Sequence, residues 1–509
     1  MNALEGPVYH PIPPGADWLT RLSYRVEWLS VATEGRMHLL VLLGPPLFTI
    51  ACLIAARLTR RWPWIAWLAR AAAVVAPVVA LRPFFFSTWV LAKGQLAVLA
   101  IPYPLALWRG RGKRTVAARL YRGTVWATFL LALLPFGNIA ASYNRTHDCE
   151  RVQADSRVRF LFSFCDPSWE KTFHEVLGAD AEIHARESRS IAVSDDGRFA
   201  FLGVGYEDEP AVWPYLVVDR ASGAIVKAEP HRTIFDIACV PGSGRCFGSQ
   251  AWESAIHVLD QASQSWVEAL RAPFKPRFLA VDPVRGRLVL TGALGVQLAF
   301  LDARTLAFDD VSALAPLRSP ASSAAYDPVR DRVFVTGELH SRTSLKYATG
   351  PDYRFESYVS PVMDWLHHMG TSVGLQLDPE TRELFIAYTF TGEVGIFDVD
   401  DVEPKGSIQL QTGLRELAYD RTRKVLYAGN FLTGDIHVVD VPTRREIDRI
   451  FVGRLIRQIT WAPAIDRLLV TSANGFLEVD PRLPGSAPAI QRLHRLPPEL
   501  HDRLHLLAE

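Results

Sequence analysis

One short pattern recurs along the last two-thirds of the chain, an apolar strand ending closed by aspartate. It stands at Val217-Val218-Asp219, Val258-Leu259-Asp260, Phe300-Leu301-Asp302, Ile396-Phe397-Asp398, Val438-Val439-Asp440 and Glu478-Val479-Asp480. The steps between aspartates are 41, 42, 96, 42 and 40 residues. The long step is two repeats with one degenerate copy, so the count is seven. Short strands at a period of about 40 to 50 residues define a β-propeller with one four-stranded blade per repeat.

A second phase confirms the first. The opening strand of each repeat ends in a turn such as Asp282-Pro283-Val284-Arg285-Gly286-Arg287, Asp327-Pro328-Val329-Arg330-Asp331-Arg332 or Asp378-Pro379-Glu380-Thr381-Arg382. Aspartate bonds its own backbone in such turns and proline presets its own φ. An apolar strand follows each time. One blade parses completely, with strands at 415–419, 425–429, 435–441 and 446–452. These motifs resemble the YVTN-type propeller repeat over about residues 189–482. The resemblance implies the propeller fold. Its relatives include surface and periplasmic binding proteins, lactonases and quinoprotein-like dehydrogenases, so it does not select one activity.

The first 145 residues are a different material. Apolar stretches at 37–56, 63–81, 84–108 and 124–141 are each near the ~20 residues a helix needs to cross a bilayer. The expected fold is therefore four transmembrane helices followed by an all-β seven-bladed propeller. The expected divisions are 1–36, an N-terminal segment with an interfacial helix; 37–142, the membrane domain; 143–180, a linker; 181–482, the propeller; and 483–509, a tail helix. Arg57, Arg60 and Arg61 follow the first stretch, and Arg109, Arg111, Lys113 and Arg114 follow the third. Basic loops stay in the cytoplasm. Both termini and the propeller then lie outside, as in a multi-pass protein of a bacterial-type inner membrane. Arg82, Lys93 and Gln95 fall within or beside the middle stretches. A basic group at that depth is often functional, although snorkelling or a bond inside the bundle also accommodates it.

The cysteines agree with an outside propeller. Cys52 lies in the first apolar stretch. The other four pair by sequence as Cys149 with Cys165 and Cys239 with Cys246, the second pair flanking a blade turn. Paired thiols suit an oxidising compartment. No CxxC or CxxCH occurs, which argues against a redox motif or covalent haem.

In a propeller, the loops joining the second to the third strand share one face, the top, with the connections between blades. Here those segments vary and the opposite turns are regular, so binding is expected on top. The candidates there are Tyr206, Glu207 and Glu209 in blade one, Glu338 and His340 in blade four, Trp365, His367, His368 and Met369 in the insertion after it, and Asn430 in blade six. No cofactor is expected as the leading reading. His340, His367 and His368 form the one set that invites copper or zinc, though adjacent histidines more often pack loops. His257 and His437 occupy equivalent positions in two blades and are explained by the repeat. No nucleophile elbow, HExxH or P-loop occurs. A net charge of +1 without a basic stripe argues against nucleic acid.

The expected function is a membrane-anchored extracytoplasmic scaffold that recognises a protein or ligand, or a subunit of a membrane complex, with another membrane or periplasmic protein as partner and the bilayer as its support. The alternative is a membrane-held metal-dependent hydrolase or oxidoreductase. Two topological expectations accompany this. The stretch 181–188 supplies the outer strand of blade seven, and the chain enters the propeller from the bottom.

Overall fold

The computed structural model describes residues 145–483 apart from 180–187, 206–211, 251–253, 293–296, 310–312, 315–320, 338–344, 359–371, 390–391, 412 and 432. The membrane stretches, the tail helix and Arg82, Lys93 and Gln95 lie outside the described residues. No helix among the described residues is long and apolar enough to cross a membrane.

Seven four-stranded antiparallel sheets form the propeller. Blade six has strands Leu414–Asp420, Val425–Asn430, Asp435–Asp440 and Arg445–Phe451, within a residue or two of its sequence parse. The first strand of each sheet is innermost. Ser188–Val193 of blade one lies beside Asp236–Val240 of blade two and Gln458–Ala462 of blade seven, so the inner strands close a ring around a central bore.

The middle strands are apolar on both faces because each is sandwiched between neighbouring sheets. Leu288, Val289 and Leu290 of blade three are all fully buried. Leu288 and Leu290 face blade two, where Phe247, Ile256 and Val258 pack against them. Each such side chain contributes roughly 1.5–3 kcal/mol. The outer strands, by contrast, are largely solvated: Ile225–Arg232 alternates between exposed and half-buried positions.

Both aspartate motifs cap turns. Asp282 Oδ1 accepts the backbone N–H groups of Val284 and Arg285, each at 3.1 Å. Asp302 Oδ1 accepts those of Arg304 at 2.9 Å and Thr305 at 2.6 Å. The residue before the second strand is left-handed in blades two to seven: Gly244, Gly286, Asp331, Arg382, Lys424 and Asp466, with φ between 51° and 68°. The degenerate copy is blade four, whose third strand Leu345–Thr349 ends without aspartate.

The ring closes differently from expectation. The outer strand of blade seven is Val158–Ser163, paired antiparallel with Gly475–Val479. The 181–188 stretch does not take this place; Ser188 opens the inner strand of blade one. Helix α1 (Arg145–Gln153) precedes the closing strand and helix α2 (Ser168–Leu177) follows it.

The expected entry from the bottom is also corrected. Asp148 of α1 binds Arg454, in the top connection between blades six and seven, at 2.9 Å. Arg151 stacks on Phe451, at the top of the outer strand of blade six. The chain therefore passes the top rim at α1 and descends to the start of the closing strand. Burial of this pair decides its chemistry: desolvation raises the Asp148 pKa, offset by the Arg454 charge.

Two disulfides form as the spacing expects. Cys149–Cys165 ties α1 to the segment after the closing strand, with Cα atoms 5.7 Å apart. Cys239–Cys246 bridges directly opposed residues of the first two strands of blade two, with Cα atoms 3.9 Å apart. Such bonds belong to an oxidising, extracytoplasmic compartment.

Candidate functional site at the top of the bore

The inner strands enter from the top, and five of them break register near that end, three with arginine at the break. Those three breaks fall between Ser188 and Ser190, between Pro276 and Leu279, and between Leu414 and Glu416. Arg189, Arg277 and Arg415 occupy them, and Arg457 stands just before the inner strand of blade seven. A bulge re-aims the side chain it carries. Blades four and five break register at the same level but carry Ser322 and Val373 there. Arginine thus comes from four of seven equivalent places, and all four arginines are at least nine-tenths buried.

Aromatic rings organise them. The guanidinium carbons of Arg189 and Arg277 lie 3.7 and 4.9 Å from the centroid of Phe235, which precedes the inner strand of blade two. Arg277 also lies 5.3 Å from the Phe278 ring. Arg415 and Arg457 share the Phe431 ring at 5.1 Å each. Stacking on a ring satisfies the face of a guanidinium and leaves its N–H edge directed sideways.

Two carboxylates complete the cluster. Asp236 accepts the N–H of Ile237 at 2.9 Å and that of Leu279, in blade three, at 2.9 Å. Gln458 Nε2 of blade seven donates to it at 3.3 Å, and Gln458 Oε1 accepts the N–H of Ile191 in blade one at 2.8 Å. One glutamine thus links three consecutive blades. Glu416 lies 3.4 Å from Arg415 and within the field of Arg189 and Asp236.

Burial dominates both acids. Desolvation pushes Asp236 up to about 6, against its backbone hydrogen bonds and the Arg189 charge. It pushes Glu416 up to about 7, against the charges of Arg415 and Arg189. Both side chains nonetheless keep intermediate solvent exposure. A group lining the bore meets both conditions: protein surrounds it, yet its tip touches solvent.

Of the sequence candidates, Asn430 is described. It is buried; its Oδ1 accepts the Thr433 N–H at 3.0 Å and its Nδ2 donates to the Gln411 carbonyl at 3.4 Å. It shapes the loop that presents Phe431. Tyr206, Glu207, Glu209, Glu338, His340, Trp365, His367, His368 and Met369 lie outside the described residues, and with them the copper or zinc set. Among the described residues no group of three or more His, Cys, Asp or Glu is placed to hold a metal. His257 and His437 sit in the third strands of their blades, with Gln250 Oε1 at 3.1 Å and Glu446 Oε1 at 2.6 Å.

The arginines escaped sequence reasoning because each, taken alone, reads as a solvated strand start. Superposed repeats reveal them: arginine stands two residues before an inner-strand Ile or Leu in Arg189-Ser190-Ile191, Arg277-Phe278-Leu279, Arg415-Glu416-Leu417 and Arg457-Gln458-Ile459.

No protein-family model matches the chain, and no curated protein matches it.

Proposed function

We propose that this chain is a membrane-anchored, extracytoplasmic recognition scaffold whose working end is the top of the propeller bore. The apolar stretches of residues 1–145 and their basic loops support the anchoring and the outward placement. The two disulfides support the compartment. The resemblance to the YVTN-type repeat supports a binding role. One observation carries the reading: four buried arginines, two carboxylates and three phenylalanines from different blades converge on one end of one bore. Rigid strands hold them, and convergent polar groups in a concave site mark recognition. The bottom turns instead pair their charges with one another.

The test is purification of the full-length protein from native membranes in mild detergent, with mass spectrometry of what accompanies it. A partner or ligand retained at fixed stoichiometry, lost on Arg457→Gln but kept on Arg423→Gln at the bottom rim, supports the reading. Retention of nothing, or equal loss in both variants, sinks it.

A further inference from the structure

We infer that the seam between the outer parts of blades one and two is an acid-sensitive latch, closed while His231 and His257 are both neutral and loosened when either imidazole takes up a second proton. The inference does not depend on what the top of the bore recognises. His231 stands in the outer strand of blade one, Ile225–Arg232, and His257 in the third strand of blade two, Ala255–Asp260. Their ring centroids lie 4.8 Å apart across the seam, with the planes at 81°. Trp266, from the outer strand of blade two, stacks on His231 at 4.7 Å, and Tyr215 of blade one meets Trp266 at 5.3 Å. Gly248, the cross-strand partner of His257, makes room for this packing: a Cβ there would lie 2.8 Å from Trp266 Cη2. Four rings from two blades thus fill one seam.

The hydrogen bonds suit neutral rings. His231 Nδ1 lies 2.8 Å from the Arg232 carbonyl oxygen, and His257 Nε2 lies 3.1 Å from Gln250 Oε1. Each oxygen accepts the single N–H of a neutral ring, and among the described residues no acceptor is placed for the other nitrogen. A second proton would therefore be a donor without a partner, which is costly in a buried place. The surrounding charges do little to offset this. Glu229 favours a charge on His231 but is itself paired with Lys227 at 3.2 Å. Arg232 opposes a charge on either ring, and a charged His231 opposes one on His257. Tyr215 is buried and held neutral. Glu268 and Arg271 of the outer strand of blade two are exposed, and Asp219, Arg245 and Asp260 lie at the bottom ends of the neighbouring strands. The Trp266 face favours a cation on His231, so His257, at 88° to that ring, resists most. Burial, then the charges of His231 and Arg232, lower His257 to about 4, and burial lowers His231 as well. Groups lowered on folding stabilise the fold fully above their unfolded value, near 6.5, and lose that contribution as pH falls toward about 4. This sign is opposite to that of the bore acids, so the latch is read locally.

Hydrogen–deuterium exchange of the full-length protein in detergent tests this, read by mass spectrometry at about pH 7.5 and about pH 4.5 on either side of the histidine range, with times scaled for the intrinsic effect of pH. Peptides covering 225–232 and 255–260 are expected to lose protection about tenfold or more at the lower pH. Blade five, whose strands Glu383–Tyr388 and Glu393–Asp398 contain no histidine, keeps its own. His257→Phe keeps a ring and removes the proton site, so it is expected to retain most of the seam's protection in acid. Thermal melting checks that the variant is folded; where it is not, His257→Gln takes its place and keeps a side-chain donor for Gln250. Equal loss in blades one, two and five overturns the inference. So does a seam that acid leaves unchanged, or a variant that loses as much protection as the parent.

Discussion

Arg382 of blade five grips Asp327 of blade four with both ends of its guanidinium, Nη1 to Oδ1 at 2.7 Å and Nη2 to Oδ2 at 2.8 Å. Asp327 is fully buried and also accepts the Val329 N–H at 3.1 Å. The relationship repeats along the bottom face. Arg285 of blade three meets Asp331 of blade four at 2.9 Å, and Arg423 of blade six meets Asp466 of blade seven at 2.6 and 2.7 Å. The turn motif therefore does two things: aspartate caps its own turn, and the turn's basic residue reaches toward a neighbouring blade.

Replacing Arg382 strands a buried carboxylate. Arg382→Ala is expected to destabilise the propeller by about 2–4 kcal/mol. Arg330→Ala, whose side chain and partner Asp400 are 48% and 37% exposed, is expected to change stability by less than about 1 kcal/mol. Denaturant unfolding of the two variants distinguishes them, and equal losses would contradict the burial argument.

Gly374 sets the spacing of two inner strands. A Cβ there would lie 2.7 Å from the Arg415 carbonyl oxygen and 2.8 Å from the Leu417 nitrogen. Both are backbone atoms of the next blade and cannot rotate away. Gly374→Ala is expected to lower stability by about 1–3 kcal/mol, the usual range for overpacking. Unchanged melting would show that the strands part without strain.

Much of this was legible in the sequence, for local reasons. Asp219, Asp282 and their equivalents announce turns because a carboxylate caps a turn within three residues of itself. Cys239 and Cys246 announce a bridge because a tight turn places them opposite one another. Ring closure was not legible. Val158–Ser163 pairs with a strand more than 300 residues away, and nothing local says which of two β-prone stretches wins that place. The α1 contacts decide it: Asp148 on Arg454 and Cys149 on Cys165 hold the earlier stretch against blade seven. The arginines were hidden for a related reason, since only the bulge turns a strand-start residue toward the bore.

The two disulfides differ in what they tie down. Cys149–Cys165 encloses α1 and the closing strand, and its loop of 16 residues corresponds to roughly 3 kcal/mol by chain entropy. Cys239–Cys246 spans a hairpin turn whose strands already pair. Cys149→Ser with Cys165→Ser is therefore expected to lower the melting temperature more than Cys239→Ser with Cys246→Ser. The reverse order, read by calorimetry of both double variants, would mean that blade two and not the ring closure is the weak point.

The acids at the bore give the propeller a pH dependence of definite sign. Both are held above their usual range by burial, Asp236 at about 6 and Glu416 at about 7. A group raised on folding stabilises the fold fully below its unfolded value, near 4, and loses that contribution as pH rises through the folded value. Stability should therefore fall between about pH 4 and 7. Glu416→Gln removes most of its share, so the variant is expected to match the parent at pH 5 and to exceed it at pH 8, by on the order of 1–3 kcal/mol. The charged groups acting on the pair are Arg189 and, for Glu416, also Arg415. A parent and a variant with parallel pH profiles of stability would show that Glu416 is not held above its usual range on folding.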